Sequence, residues 1–143
     1  MSRPDGKPRR ILLVEQDPTL RQTCAAALVE RGFAVSEASD GEEAWEDILS
    51  GEYDVVVTEE LVPKISGHAL ARQMRVAGLM QPVILISNRA DVDIHTNDPW
   101  QRIDAYLAKP FTPGDLLENV THVLHPTAPV CYTLVCLNHP KRG

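Results

Sequence analysis

The chain has 143 residues, 43% of them apolar and 24% charged, with a formal net charge of −6. That length suits one domain with a core of ordinary size, and the acidic balance argues against a bulk nucleic-acid partner, whose phosphates need a basic face. No apolar run approaches the length needed to span a bilayer, and the opening MSRPDGKPRR lacks the apolar centre of a secretory signal, so the expectation is a cytoplasmic protein with no membrane partner.

Residues 1–8 show no apolar periodicity and are expected to form a flexible N-terminal arm. Arg10-Ile11-Leu12-Leu13-Val14 then reads as a fully buried strand, because its apolar run is continuous rather than alternating. It ends in Glu15-Gln16-Asp17. Asp17-Pro18 is a helix start, with an acid at the cap and proline in the first turn. Leu20, Cys24, Ala27 and Leu28 recur at helical spacing until Gly32. Residues 33–38 form a second strand, more alternating and so nearer an edge. Asp40-Gly41-Glu42-Glu43 opens a helix through Ala44, Trp45, Ile48 and Leu49, ended by Gly51.

The third strand covers 54–58 and runs straight into two acids, Glu59 and Glu60, before Pro63 and Gly67 break the chain. A helix over 67–77 follows, with Leu70, Met74 and Val76 as its apolar positions. Residues 82–86 are a fourth buried strand ending at Ser87. Asn97-Asp98-Pro99 is a turn signal within 88–104, so any helix there is expected to be short or distorted. Ala105–Ala108 is a short fifth strand, followed by Lys109-Pro110. Thr112-Pro113 caps a last helix running through Leu116, Leu117, Val120, Val123 and Leu124. Five alternations of strand and helix imply right-handed crossovers and a three-layer α/β sandwich around a parallel five-stranded sheet. The body is expected to span 9–125. The tail, 126–143, carries a strand-prone run, Val130–Leu137, that reads either as an added strand on its own domain or as a patch that recruits a partner.

In a parallel sheet the carboxyl ends of the strands share one edge, and that edge is where α/β proteins bind ligands. Four polar stretches fall there: Glu15-Gln16-Asp17, Glu59, Ser87 and Lys109. Close carboxylates repel and need a cation, which Lys109 or a hard metal can supply. Each residue also has a plain structural reading. Glu59 and Lys109 could be exposed surface charges, Ser87 could cap the next segment, Tyr106 could be a packed aromatic, and Glu60 and Asp54 read as solvated. His122, His125, Cys131, Cys136 and His139 fit no common zinc spacing. The odd set of three cysteines reads as free thiols.

The segments ILLVEQDPTLR, DGEEA, YDVVVTEELVPKISG, PVILIS and YLAKPFTPGDLL, in this order and at this spacing, resemble the receiver domain of two-component response regulators. The resemblance runs from about Arg9 to Leu124. It implies a flavodoxin-like fold with strand order 2-1-3-4-5 and a signalling role rather than an enzymatic one. In that family an aspartate closing the third strand accepts a phosphoryl group from a histidine kinase, and here Glu59 holds the position. Two acids after the first strand hold magnesium there; Glu15 fits the first place, whereas Gln16 replaces the second. Asp17 matches a further, peripheral acid. Ser87 matches the hydroxyl that bonds the phosphoryl group, Lys109 the lysine that pairs with it, and Tyr106 the switch aromatic.

Glutamate carries its carboxylate one methylene further out, up to about 1.5 Å, and misplacement on that scale can cost on the order of a hundredfold in rate. Glutamine offers magnesium only a neutral oxygen, so Glu15 and Glu59 are expected to bind the metal weakly or not at all, with no other cofactor implied. The leading expectation is therefore a stand-alone, degenerate receiver (a pseudo-receiver) acting by protein–protein contact, largely without phosphorylation. Its partner would be a histidine kinase or a downstream effector, and a homodimer through the 88–111 face, the last helix or the tail is open. The alternative is a conventional phosphoacceptor response regulator in a phosphorelay. A flavin- or nucleotide-binding α/β protein is less favoured, because the first strand is followed by acids and not by a glycine-rich turn.

Overall fold

The computed structural model describes residues 2–88 and 102–125. Five strands, β1 (Arg10–Val14), β2 (Ala34–Ala38), β3 (Val55–Glu59), β4 (Val83–Ser87) and β5 (Ala105–Ala108), form one sheet of order β2-β1-β3-β4-β5. All four pairings are parallel. Among the described residues the helices are α1 (Pro18–Glu30), α2 (Gly41–Ser50), α3 (Gly67–Val76) and α4 (Pro113–Leu124). The expected three-layer sandwich and strand order are what the chain adopts.

The continuous apolar runs of β1, β3 and β4 are buried on both faces because helices cover both. Ile11, Leu13, Val55, Val57, Ile84 and Ile86 face α1 and α4. Leu12, Val14, Val56 and Val83 face α2 and α3 with Ile48, Leu70 and Met74. The alternating β2 is indeed at an edge. Asp17, Asp40, Ser66 and Thr112 each accept a backbone N–H at the start of a helix, and Thr112 forms a reciprocal capping box with Asp115.

Three sequence expectations need correction. On α3 the apolar stripe was expected to include Val76, but that residue is 61% exposed while Arg75 is buried. Leu49 on α2 is likewise exposed. Asp54, expected to be solvated, lies half-buried at the amino end of β3, accepting the Arg10 backbone N–H at 2.7 Å and the Arg3 Nε–H at 3.0 Å. Through that second bond the N-terminal stretch, expected as an arm, touches the body, and it carries a short antiparallel bridge between Ser2 and Pro8. No helix among the described residues is long and apolar enough to cross a membrane. The tail 126–143, residues 89–101 with Trp100, and the cysteines Cys131 and Cys136 lie outside the described residues.

Candidate functional site

The carboxyl ends of β1, β3 and β5 converge on a cleft of about 460 Å³ lined by Glu15, Gln16, Asp17, Pro18, Glu59 and Lys109. Glu15 follows β1 directly, and its backbone N–H donates to Ala38 O at 3.0 Å, extending the β1–β2 ladder by one residue. That backbone bond fixes a carboxyl group only 3% exposed. Its Oε2 accepts the Asp17 N–H at 3.0 Å, whereas its Oε1 is buried without a hydrogen-bond partner.

Glu59 is the last residue of β3 and is half-buried. Lys109 follows β5, with its backbone N–H donating to Ser87 O at 2.9 Å. The ammonium group reaches back across the sheet edge. Lys109 Nζ donates to Glu59 Oε1 at 2.7 Å and stands 3.6 Å from Glu15 Oε1. One lysine thus serves two carboxylates.

The imbalance shows in the titration of the groups. Burial first, and then a hydrogen bond shared with Glu59, push the Glu15 carboxyl up to about 7 against the lowering pull of the Asp17 N–H and the Lys109 charge. The two acids can share that bond only when one is protonated, which is why the deprotonated Oε1 has no donor. Burial works against the Lys109 ammonium, but the Glu59 hydrogen bond and the charges of Glu15 and Glu59 outweigh it and hold its pKa above the ordinary value.

Gln16 and Asp17 sit at the exposed mouth. The Asp17 carboxylate accepts the Thr19 N–H at 3.0 Å as the cap of α1. Arg21 holds the turn from below, donating to Glu15 O at 2.8 Å. Tyr106 is half-buried on β5, in register with Leu85.

Ser87 ends β4 next to this cleft, yet its hydroxyl is spent elsewhere. Ser87 Oγ donates to Glu60 Oε1 at 2.8 Å, with both residues buried. His68 Nδ1 lies 3.6 Å from the other oxygen, Glu60 Oε2. Glu60, expected from the sequence to be solvated, is instead only 6% exposed. Strand alternation carries a usable signal. Val56, Thr58 and Glu60 share one face, Val56 packs with α2 and α3, and Thr58 is buried too. The close approach of α3 completes the enclosure. Gly67 N donates to Glu60 O at 2.9 Å, and a Cβ at Gly67 would lie 2.6 Å from Glu59 O.

The cleft brings Glu15, Glu59 and Lys109 together, leaves Gln16 and Asp17 at its rim, and does not share the Ser87–Glu60 bond. The oxygens within it that could hold a cation belong to Glu15 and Glu59, with the Gln16 carbonyl at the mouth. Among the described residues no group of three or more His, Cys, Asp or Glu side chains is placed to hold a metal ion.

Comparison with known proteins gives the family and the fold. Residues 11–121 match the family model of the response regulator receiver domain. The chain is 32% identical over 111 residues to the transcriptional regulatory protein DltR of Streptococcus agalactiae, covering 78% of this chain and 50% of DltR. It is 33% identical over 122 residues to the response regulator MprA of Mycolicibacterium vanbaalenii, covering 85% of this chain and 53% of MprA. The chain therefore spans about half the length of these curated relatives. Among solved structures, the receiver domain of the Francisella response regulator 1452 superposes with a TM-score of 0.76 at 27% identity, covering 84% of this chain and 99% of that one.

Proposed function

The chain belongs to the response regulator receiver family, and from that premise we propose that this member is a degenerate receiver, signalling by protein contact largely without accepting a phosphoryl group. The observation that carries this reading is the 2.7 Å contact between Lys109 Nζ and Glu59 Oε1, with Glu15 Oε1 3.6 Å from the same ammonium. A nucleophile must present a free, correctly placed oxygen to the donor. Here the candidate oxygen is engaged by the lysine, and its longer side chain changes the reach; displacement of about 1 Å can cost on the order of a hundredfold in rate.

The same contact bears on magnesium. A hard dication needs several oxygen ligands and enough negative charge to offset its dehydration. The cleft offers Glu15, inclined to keep a proton, and Glu59, already paired with Lys109. Gln16 contributes no charge. This donor set suits the internal ammonium better than magnesium, so metal binding is weak in this reading and no step is routed through it.

The Lys109–Glu59 pair imitates only part of what a phosphoryl group would impose. Glu59 brings one negative charge, whereas a phosphorylated side chain brings nearly two and three strong acceptor oxygens. The proposed output is contact with a protein in the cytoplasm, either a histidine kinase or a downstream effector. The surface lies around β5 and α4.

Incubation with acetyl phosphate and magnesium, followed by intact-mass measurement, tests the reading. No stable adduct is expected on Glu59. A gain of one phosphoryl group, absent in Glu59→Gln, would establish the conventional phosphoacceptor instead.

A further inference from the structure

We propose that Glu60 is a built-in positioning residue: it holds the Ser87 hydroxyl away from the Glu59–Lys109 cleft and so sets how the end of β4 answers an anion bound there. The inference rests on the proposed reading of the cleft and adds to it a cause of silence that Glu59 and Gln16 do not supply.

The two acids that close β3 divide the donors between them. Glu59 takes the Lys109 ammonium at 2.7 Å, and Glu60 takes the Ser87 hydroxyl at 2.8 Å. Successive residues of a strand point to opposite faces, so the two bonds lie on opposite sides of the β3–β4 edge. Ser87 ends β4, and its backbone stands beside the cleft. It pairs with Ala108 in the sheet, and its carbonyl accepts the Lys109 backbone N–H at 2.9 Å. A hydroxyl on a one-carbon stem changes direction by rotation about χ1 alone. Its direction therefore depends on which acceptor is stronger.

Glu60 is a strong acceptor for three reasons. The carboxylate is charged, and hydrogen bonds to charged groups are roughly twice as strong as neutral ones. Glu60 and Ser87 are only 6% and 5% exposed, so water competes little. His68, in the first turn of α3, stands 3.6 Å from Glu60 Oε2, and Gly67 N donates to Glu60 O at 2.9 Å, so the acid is held from the α3 side as well. A charged acceptor of this kind biases a donor's rotamer by roughly ten- to a hundredfold. An anion in the cleft would have to overcome that bias before it gained the hydroxyl.

The test uses the full chain carrying Glu59→Asp and Gln16→Asp, which shortens the nucleophile and restores a charged ligand at the cleft mouth. Acetyl phosphate transfers its phosphoryl group to the aspartate carboxylate and releases acetate, and the initial rate of adduct formation is read by intact mass. Adding Glu60→Met is expected to raise that rate by about tenfold or more. Adding Ser87→Ala to the triple variant is expected to abolish the gain. No gain with Glu60→Met, or a gain that survives Ser87→Ala, would overturn the proposal.

A second measurement needs no chemistry. The Ser87 α–β proton couplings report χ1 in the otherwise unaltered chain. Glu60→Met is expected to move them from one rotamer to another, and Glu60→Gln, which keeps the shape but offers a neutral acceptor, to shift them partway. Should Glu60→Met fail to fold, Glu60→Gln decides alone. Couplings unchanged in the folded variants would refute the role of Glu60. An inert Glu59→Asp, Gln16→Asp background with shifted couplings would instead place the fault in the reading of the cleft.

Discussion

The two ends of the sheet bury charge in opposite ways. At the amino end Arg75, 4% exposed, donates to Leu79 O, Gln81 O and Arg102 O and to Asp104 Oδ2. Asp104 Oδ2 in turn accepts the Val83 N–H at 2.8 Å. Asp54 does the matching work beside β1 through Arg3, Arg9 and the Arg10 N–H. Among the described residues, three buried side-chain atoms there, Arg9 Nε, Arg75 Nε and Gln81 Oε1, have no hydrogen-bond partner, but each carboxylate faces two arginines and a backbone N–H. At the carboxyl end two carboxyls share one lysine, and a buried Glu15 oxygen has no hydrogen-bond donor. A satisfied buried charge serves the scaffold. An unsatisfied one is a reserve of free energy that a ligand, a proton or a partner can draw on.

The largest way to break that contrast is Arg75→Met. It takes one of Asp104's donors and removes the arginine donor from the Leu79, Gln81 and Arg102 carbonyls, and removing one member of a buried ionic network costs about 3–5 kcal/mol. A urea midpoint should fall accordingly. A loss within a few tenths of a kcal/mol would mean that the amino end is no better satisfied than the cleft.

Glu15→Gln should move stability the other way, and with pH. The folded Glu15 pKa of about 7 exceeds its ordinary 4.5, so the folded chain holds this proton more tightly than the unfolded chain. Wild-type stability from this group is therefore intact below about pH 4.5 and is lost as pH rises through 7. Glu15→Gln removes the titration, so its advantage over wild type should be absent at pH 4.5 and grow to about 1–3 kcal/mol by pH 8. Urea unfolding of both proteins across that range measures it, and a constant difference would contradict the shift.

The physical reason some of this was legible in the sequence is that burial on both faces of a parallel strand leaves an unbroken apolar run, as in Ile11–Val14 and Val83–Ile86. Helix starts were legible because a cap residue and a proline act locally, as at Asp17-Pro18. The cleft trio could be placed because strand ends must converge in such a sheet. Arg75 and Glu60 escaped because a charged residue reads as solvated unless its partners are known, and those partners are distant in the chain. Asp104 is 29 residues from Arg75, and Ser87 is 27 from Glu60. Val76 misled for the complementary reason, since hydrophobicity marks candidates for burial but does not fix the rotation of the helix. On α3 the buried set Leu70, Ala71, Met74 and Arg75 turns Val76 outward.

The smallest effect sharpens the comparison within the carboxyl end itself. Asp17 lines the cleft, so it could belong to the unsatisfied reserve or to the scaffold, and two substitutions separate these roles. Its carboxylate accepts the Thr19 N–H at 3.0 Å, and its own N–H donates to Glu15 Oε2 at the same distance. If capping is its work, Asp17→Ala should lower stability by about 1 kcal/mol, while Asp17→Asn, also a good cap, should stay within a few tenths. If its charge matters to the cleft, Asp17→Asn should instead ease the ionisation of Glu15 and shift the pH at which wild type and Glu15→Gln diverge. The exposed position of Asp17 and the screening that water and salt provide there favour capping. The expected result is an unchanged pH profile in Asp17→Asn beside a lowered midpoint in Asp17→Ala, which would assign Asp17 to the scaffold although it stands at the mouth of the site.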